Sequence, residues 1–91
     1  MTTVAVRHHV ADYDTWKTGY DEHGAVRKQN GCTGDMLLRD ANDPNEILVL
    51  TFWPSAADAQ AFVTDPRLPE AMQQAGVTSE PRIEIYEETR S

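Results

Sequence analysis

The chain opens on a regular alternation. In Thr3-Val4-Ala5-Val6-Arg7-His8-His9-Val10, one side carries Val4, Val6, His8 and Val10, and the other carries Ala5, Arg7 and His9. That is the period-2 pattern of a strand. The period then lengthens. Tyr13, Trp16, Tyr20, His23 and Val26 recur at helical spacing, with Lys17, Asp21, Glu22 and Lys28 largely off that stripe, which predicts an amphipathic helix. Asp12 serves as its N-cap, and Asn30-Gly31 closes it after Gln29. Gly19 and Gly24 each weaken such a helix by roughly 1 kcal/mol relative to Ala, so a close neighbour is expected there.

A second strand is predicted over 33–40, followed by the turn-rich Ala41-Asn42-Asp43-Pro44-Asn45 and a third strand over 46–53. The third strand is apolar on both sides, with Ile47, Val49, Thr51 and Trp53 on one and Leu48, Leu50 and Phe52 on the other. Ser55 with Asp58 resembles a capping box opening a helix over 56–64, with Ala59, Phe62 and Val63 inward, stopped by Asp65-Pro66. A further helix over 67–75 turns Leu68, Ala71, Met72 and Ala75 inward and ends at Gly76. A last strand over 81–88 sets Ile83 and Ile85 against Glu84 and Tyr86.

The resulting order, β-α-β-β-α(α)-β, predicts one α+β domain over 1–91. Its fold is a ferredoxin-like four-stranded antiparallel sheet with the helices on one face. The other face then carries Leu48, Leu50 and Phe52. Leaving three such side chains in water forfeits several kcal/mol, comparable to the stability of a small domain. A homodimer packed through the open sheet face removes that cost.

Size makes the same point. A chain of 91 residues buries only about 60–65% of its unfolded surface, so its core is marginal without help. The single cysteine, Cys32, excludes a disulfide framework and a multi-thiolate metal site. Association with a second chain is what remains. The net charge of −7 argues against nucleic-acid and anionic-membrane partners and against strongly anionic ligands such as haem. No stretch is long and apolar enough for a membrane span, and the first residues do not read as a signal peptide. A cytoplasmic protein is the expectation.

Histidine is the natural candidate for chemistry near neutral pH. His8 shares a side with Val4 and Val6, and His23 lies on the Trp16/Tyr20 stripe. If strand face and helix stripe pack together, both imidazoles enter one interior, walled by Trp16, Tyr20, Met36 and Trp53. Aromatic walls with a few converging polar groups suit a flat hydrophobic ligand, and an imidazole there can act as a general base. A hydrogen-bonded core histidine is the plainer alternative. No metal site is expected, because adjacent His8 and His9 point to opposite faces of a strand. Cys32, in a loop between Gly31 and Gly34, has no activating neighbour, and no phosphate loop or Ser-His-Asp arrangement is present.

Several stretches resemble one family. Val6-Arg7-His8-His9-Val10-Ala11-Asp12-Tyr13-Asp14-Thr15-Trp16-Lys17, Asp21-Glu22-His23, Asp43-Pro44-Asn45-Glu46 before the strand ending in Trp53, and Ala71-Met72 with Ala75-Gly76-Val77 are similar to segments of small bacterial dimeric α+β barrel proteins. These resemble antibiotic biosynthesis monooxygenases and are often labelled cyclases. The resemblance implies a subunit that dimerises through its sheet. It also implies oxidation of aromatic, polyketide-like molecules without flavin or a catalytic metal, hence no cofactor, the deprotonated substrate itself supplying electrons to O2. The family's oxygenases use a first-strand Asn, and His8 occupies the corresponding place here. The functional expectation is therefore a cofactor-independent monooxygenase or cyclase, with His8 as general base, His23 as a second polar anchor, and Trp16, Tyr20, Met36 and Trp53 contacting substrate. The alternative is a non-catalytic small-molecule-binding or regulatory dimeric module.

Overall fold

The computed structural model describes residues 1–89. Eight elements follow in order: β1 (Thr2–His9), α1 (Tyr13–Glu22), α2 (Gly24–Gln29), β2 (Gly34–Asp40), β3 (Asp43–Trp53), α3 (Ala56–Val63), α4 (Arg67–Gln74) and β4 (Arg82–Glu87). The strands form one antiparallel sheet in the order β2-β3-β1-β4. This is the expected ferredoxin-like α+β arrangement. The acidic β4 lies at an edge, where Glu84 and Glu87 discourage pairing with another sheet.

Register decides which side chains share a face. Val4, Val6 and His8 stand directly opposite Thr51, Val49 and Ile47. Directly opposed residues point the same way. Ile85 and Ile83 on β4 join them through Val4 and Val6, and Leu37 joins through Val49. The helices cover this side. Its core is Val4, Val6, Val10, Trp16, Ile47, Val49, Trp53 and Ala59, all buried.

Several boundaries differ from the sequence reading. The first helix breaks at His23 into α1 and the short α2, because His23 leaves the helical torsions at the glycine that follows. Val10 falls outside β1 and forms an isolated bridge to Val77. The hairpin loop shrinks to Ala41-Asn42, and β3 begins at Asp43 rather than at 46. Pairing moves from Arg39↔Ile47 to Asp40↔Asp43, so Pro44, Asn45 and Glu46 bulge out, the setting in which a strand accepts proline. The last strand is shorter than 81–88 at both ends.

Capping residues anchor the helices. Asp12 accepts the Thr15 N–H at 3.0 Å, and Asn45 Oδ1 accepts the Tyr13 N–H at 3.1 Å from across the fold. Ser55 accepts the Asp58 N–H at 3.2 Å, as its capping-box spacing predicts. Gly31 and Gly76, with φ of 100° and 89°, end α2 and α4 in the left-handed conformation. Gly19 meets the end of α4: a Cβ there would lie 3.0 Å from the Ala75 Cβ. The close neighbour expected at Gly19 is therefore the end of α4, and it sets how near the two helices approach above the sheet; Gly24 has no such neighbour, since a Cβ there would meet only Arg27 Nη2 of its own helix, at 3.7 Å.

Candidate functional site

Between the helices and the inner face of the sheet lies a cavity of about 90 Å3. Its floor is Val6, His8, Val49 and Thr51, all from the two central strands. Trp16, Tyr20 and His23, along α1 and at its end, form one wall, and Leu68, Ala71, Met72 and Ala75, along α4 and at its end, form the facing one. Val26, Arg27 and Asn30, together with Asp65 and Arg67, extend the lining.

His8 is the titratable group of the floor. Strand alternation puts it among Val4 and Val6, and its flanking strands leave it 3% exposed. Its Nδ1 is buried without a hydrogen-bond partner. Burial pushes its pKa below the ordinary 6.5, and the weaker influences of its own backbone and of Glu46 oppose this without overcoming it. Thus the imidazole is neutral near pH 7 and free to accept a proton. A buried polar atom left unpaired costs free energy, so His8 is not the hydrogen-bonded core histidine of the plainer alternative.

The aromatic wall is one continuous column. The Trp16 ring meets His8 edge to face at 5.5 Å between centroids, with planes inclined at 64°. Tyr20 stacks on Trp16 at 5.1 Å, and Tyr13 flanks it at 5.9 Å. Residues 13, 16 and 20 are spaced to stack along one face of a helix. A guanidinium closes each end, Arg39 lying 4.0 Å from the Tyr13 centroid and Arg27 3.7 Å from that of Tyr20. The Tyr20 hydroxyl donates to Asp35 at 2.7 Å. Burial raises the Tyr20 pKa and this hydrogen bond adds to the effect, against the charge of Arg27. Tyr20 is therefore a protonated, fixed wall rather than a base.

The fold brings together four of the six candidates. His8, His23, Trp16 and Tyr20 line the same cavity. His23 reaches it from the break between α1 and α2, where its N–H caps α1 by donating to the Gly19 and Tyr20 carbonyls. Met36 does not reach it. Met36 pairs with Leu50, which places it on the far face of the sheet, 51% exposed. Trp53 shares the inner face but is fully buried and outside the cavity lining. It donates from Nε1 to Thr51 Oγ1 at 2.9 Å and packs on Phe62 at 4.7 Å, so its place is the core.

Sequence reasoning misses the rim. Arg27, Asn30, Asp65 and Arg67 line the cavity, yet in sequence they are ordinary polar positions near helix ends. The α4 wall is legible as an inward stripe, because Leu68, Ala71, Met72 and Ala75 keep helical spacing. Cys32 donates to the Gly34 carbonyl at 3.2 Å, which occupies its thiol. Among the described residues, no cluster of three or more His, Cys, Asp or Glu is placed to hold a metal ion, and no helix is long and apolar enough to cross a membrane.

Known proteins share this architecture. The chain is similar to SnoaB, a cofactor-independent oxygenase from Streptomyces nogalater, at 17% identity and a TM-score of 0.77, with 99% of this chain and 94% of that one covered. A Bordetella bronchiseptica protein named for the antibiotic biosynthesis monooxygenases aligns at 13% identity and a TM-score of 0.79, covering 98% and 97%. A Caulobacter crescentus protein named in the same way aligns at 18% identity and 0.76, covering 98% and 90%. At these identities the likeness establishes the fold. No curated protein matches the chain. The model of the antibiotic biosynthesis monooxygenase family matches residues 14–74, which run from the first turn of α1 to the last residue of α4 and take in the helices that wall the cavity. The chain therefore belongs to the antibiotic biosynthesis monooxygenase family.

Proposed function

We propose that this protein is a cofactor-independent monooxygenase acting on a hydrophobic, electron-rich aromatic molecule in the cavity between sheet and helices, with His8 as general base. The observation that carries this reading is the imidazole of His8: buried, held neutral and lacking a partner at Nδ1, on the floor of an aromatic cavity. Such a base takes the proton of a phenol, and the phenolate becomes an electron donor strong enough to meet O2. For a phenol with a free ring position, the carbon adds O2 and the hydroperoxide loses water, leaving a carbonyl. One oxygen atom enters the ring and the other leaves as water, and the substrate supplies all four electrons. His8 returns its proton to the departing oxygen. Trp16 and Tyr20 hold the ring, His23 offers a second polar contact, and α4 excludes water.

The active unit is a homodimer. Its support is the second face of the sheet, where Met36, Leu38 and Tyr86 are exposed beside half-buried Leu48, Leu50 and Phe52. An apolar patch of this kind on a marginal domain marks a contact surface. Light scattering at micromolar concentration should give twice the 10.2 kDa subunit mass; a monomer mass would overturn this part.

The test of the chemistry is O2 uptake with a dihydroxy-aromatic substrate, using labelled O2 to follow the inserted atom. His8→Ala should abolish turnover and leave the dimer mass unchanged. Unchanged turnover removes His8 as the base. A second reading, a ligand-binding module without turnover, draws support from the small volume of the cavity, well below the roughly 300–1,000 Å3 typical for drug-sized ligands. Saturable binding of the aromatic with no O2 uptake under any condition would select it.

A further inference from the structure

We propose that the cavity takes a small aromatic monoacid, its single ring inside the His8–Trp16–Tyr20 interior and its carboxylate on the guanidinium of Arg27. This rests on the cavity being the substrate site, and it adds what that reading leaves open, the chemical class of the ligand.

Arg27 lines the cavity and lies over the Tyr20 ring at 3.7 Å. A guanidinium held over an aromatic face still carries its N–H donors in the planar fork that matches a carboxylate. Among the described residues those donors meet no carboxylate and no other acceptor, whereas Arg7, Lys17, Arg67 and Arg82 each face one, at 3.6, 2.7, 2.6 and 3.1 Å. In a chain with 15 acidic against 8 basic residues, a fixed and unpaired guanidinium at the edge of an apolar cavity is a receptor for an anion that the protein does not itself supply. Asn30, beside it in the lining, adds amide donors.

Size and charge narrow the class. A cavity of about 90 Å3, far below the size of drug-sized sites, favours one ring over a fused polycycle. The other charged pair in the lining, Asp65 with Arg67, is internally neutral, because Arg67 donates to both Asp65 oxygens at 2.6–3.1 Å. That pair supplies no uncompensated positive charge for a second carboxylate, which the net charge of −7 also disfavours. That net charge argues against a polyanion such as haem, while the local field at Arg27 admits one carboxylate.

The experiment compares 2,5-dihydroxybenzoate with hydroquinone by titration calorimetry on the intact protein. The two share the dihydroxy ring and differ by the carboxylate. The acid should bind at least tenfold more tightly. Arg27→Gln should erase that preference, so that the variant binds the acid no more tightly than it binds hydroquinone, and Arg27→Lys should restore part of it, since a lysine brings charge without the fork. Equal affinities in the parent protein, an Arg27→Gln variant that holds the acid as tightly, or binding of neither compound would each overturn the proposal. O2 uptake separates the two readings. Arg27-dependent binding without O2 uptake keeps the acid site and ends the oxygenase assignment. Uptake that needs His8 but shows no preference for the acid keeps the oxygenase and ends the acid site.

Discussion

On the helix side of the sheet Val4, Ile47 and Trp53 are fully buried, while on the other side Met36, Leu38 and Tyr86 are 42–51% exposed. Both sides are apolar, and both are made by the same sheet. The inner side is covered by helices of its own chain except at Ile83 on the edge strand, 38% exposed, and holds the cavity. The outer one has no cover of its own among the described residues. The contrast separates two kinds of hydrophobic residue in a small domain: those whose burial the chain completes by itself, and those it leaves open, on the face proposed for association.

Truncation on each side tests this division. Ile47→Ala on the inner face should cost about 2–5 kcal/mol, the range for a large core side chain, read as a lower midpoint in urea at any protein concentration. The same kind of truncation outside, Leu38→Ala, should cost far less in a monomer. Its effect should instead be seen where the protein is dimeric and fade as the protein is diluted below the dimer dissociation range, since the lost area belongs to association. Equal, concentration-independent losses at both positions would mean that the outer face is no interface. Leu50→Asp should sharpen the contrast further. Placed opposite Met36 in the middle of that face, a carboxylate should yield a folded subunit of 10.2 kDa by light scattering, with its helical circular dichroism retained.

Smaller effects probe the inner side alone. Gly19→Leu drives a side chain at Ala75, where even a Cβ would lie 3.0 Å away. Overpacking of this kind costs about 1–3 kcal/mol, and by prising α4 from α1 it should also weaken ligand affinity. No substitution on the outer face should do both.

The pH dependence isolates His8. Its pKa is lowered by burial, so below 6.5 the unfolded chain binds a proton that the folded chain refuses. Stability then rises with pH. The contribution is complete above pH 6.5 and declines as the pH falls from there toward the lower folded value. His8→Phe should flatten that acid limb in pH-dependent unfolding. In turnover, kcat/KM should rise with pH through a midpoint below 6.5, reporting the base form of His8 in the free enzyme; a midpoint above 6.5 would contradict a buried, neutral imidazole.

Much of this site is legible in the amino-acid sequence, for local reasons. Alternation along residues 3–10 places His8 on the Val4/Val6 side, because a strand's period leaves only two choices. Helical spacing puts Trp16, Tyr20 and His23 on one stripe. Met36 departs from expectation for the converse reason. Met36, Leu37 and Leu38 are consecutive and all apolar, so no alternation marks which of them points inward, and pairing with β3 makes it Leu37. Trp53 lies on the expected face but in the core rather than the cavity, since its cover is Phe62 of α3, a contact between residues on different elements.

The sequence by itself determined the order of elements, the helix caps, the face of each histidine and the presence of a second apolar sheet face, because period, capping and composition act within a few residues. Only the tertiary structure decided the register of β2 against β3, the closing of α4 over the sheet and the gathering of Arg27, Asn30, Asp65 and Arg67 around the cavity. Those depend on residues distant in the chain meeting in space, as Val4 and His8 meet Thr51 and Ile47 on β3, and no local pattern encodes such a meeting.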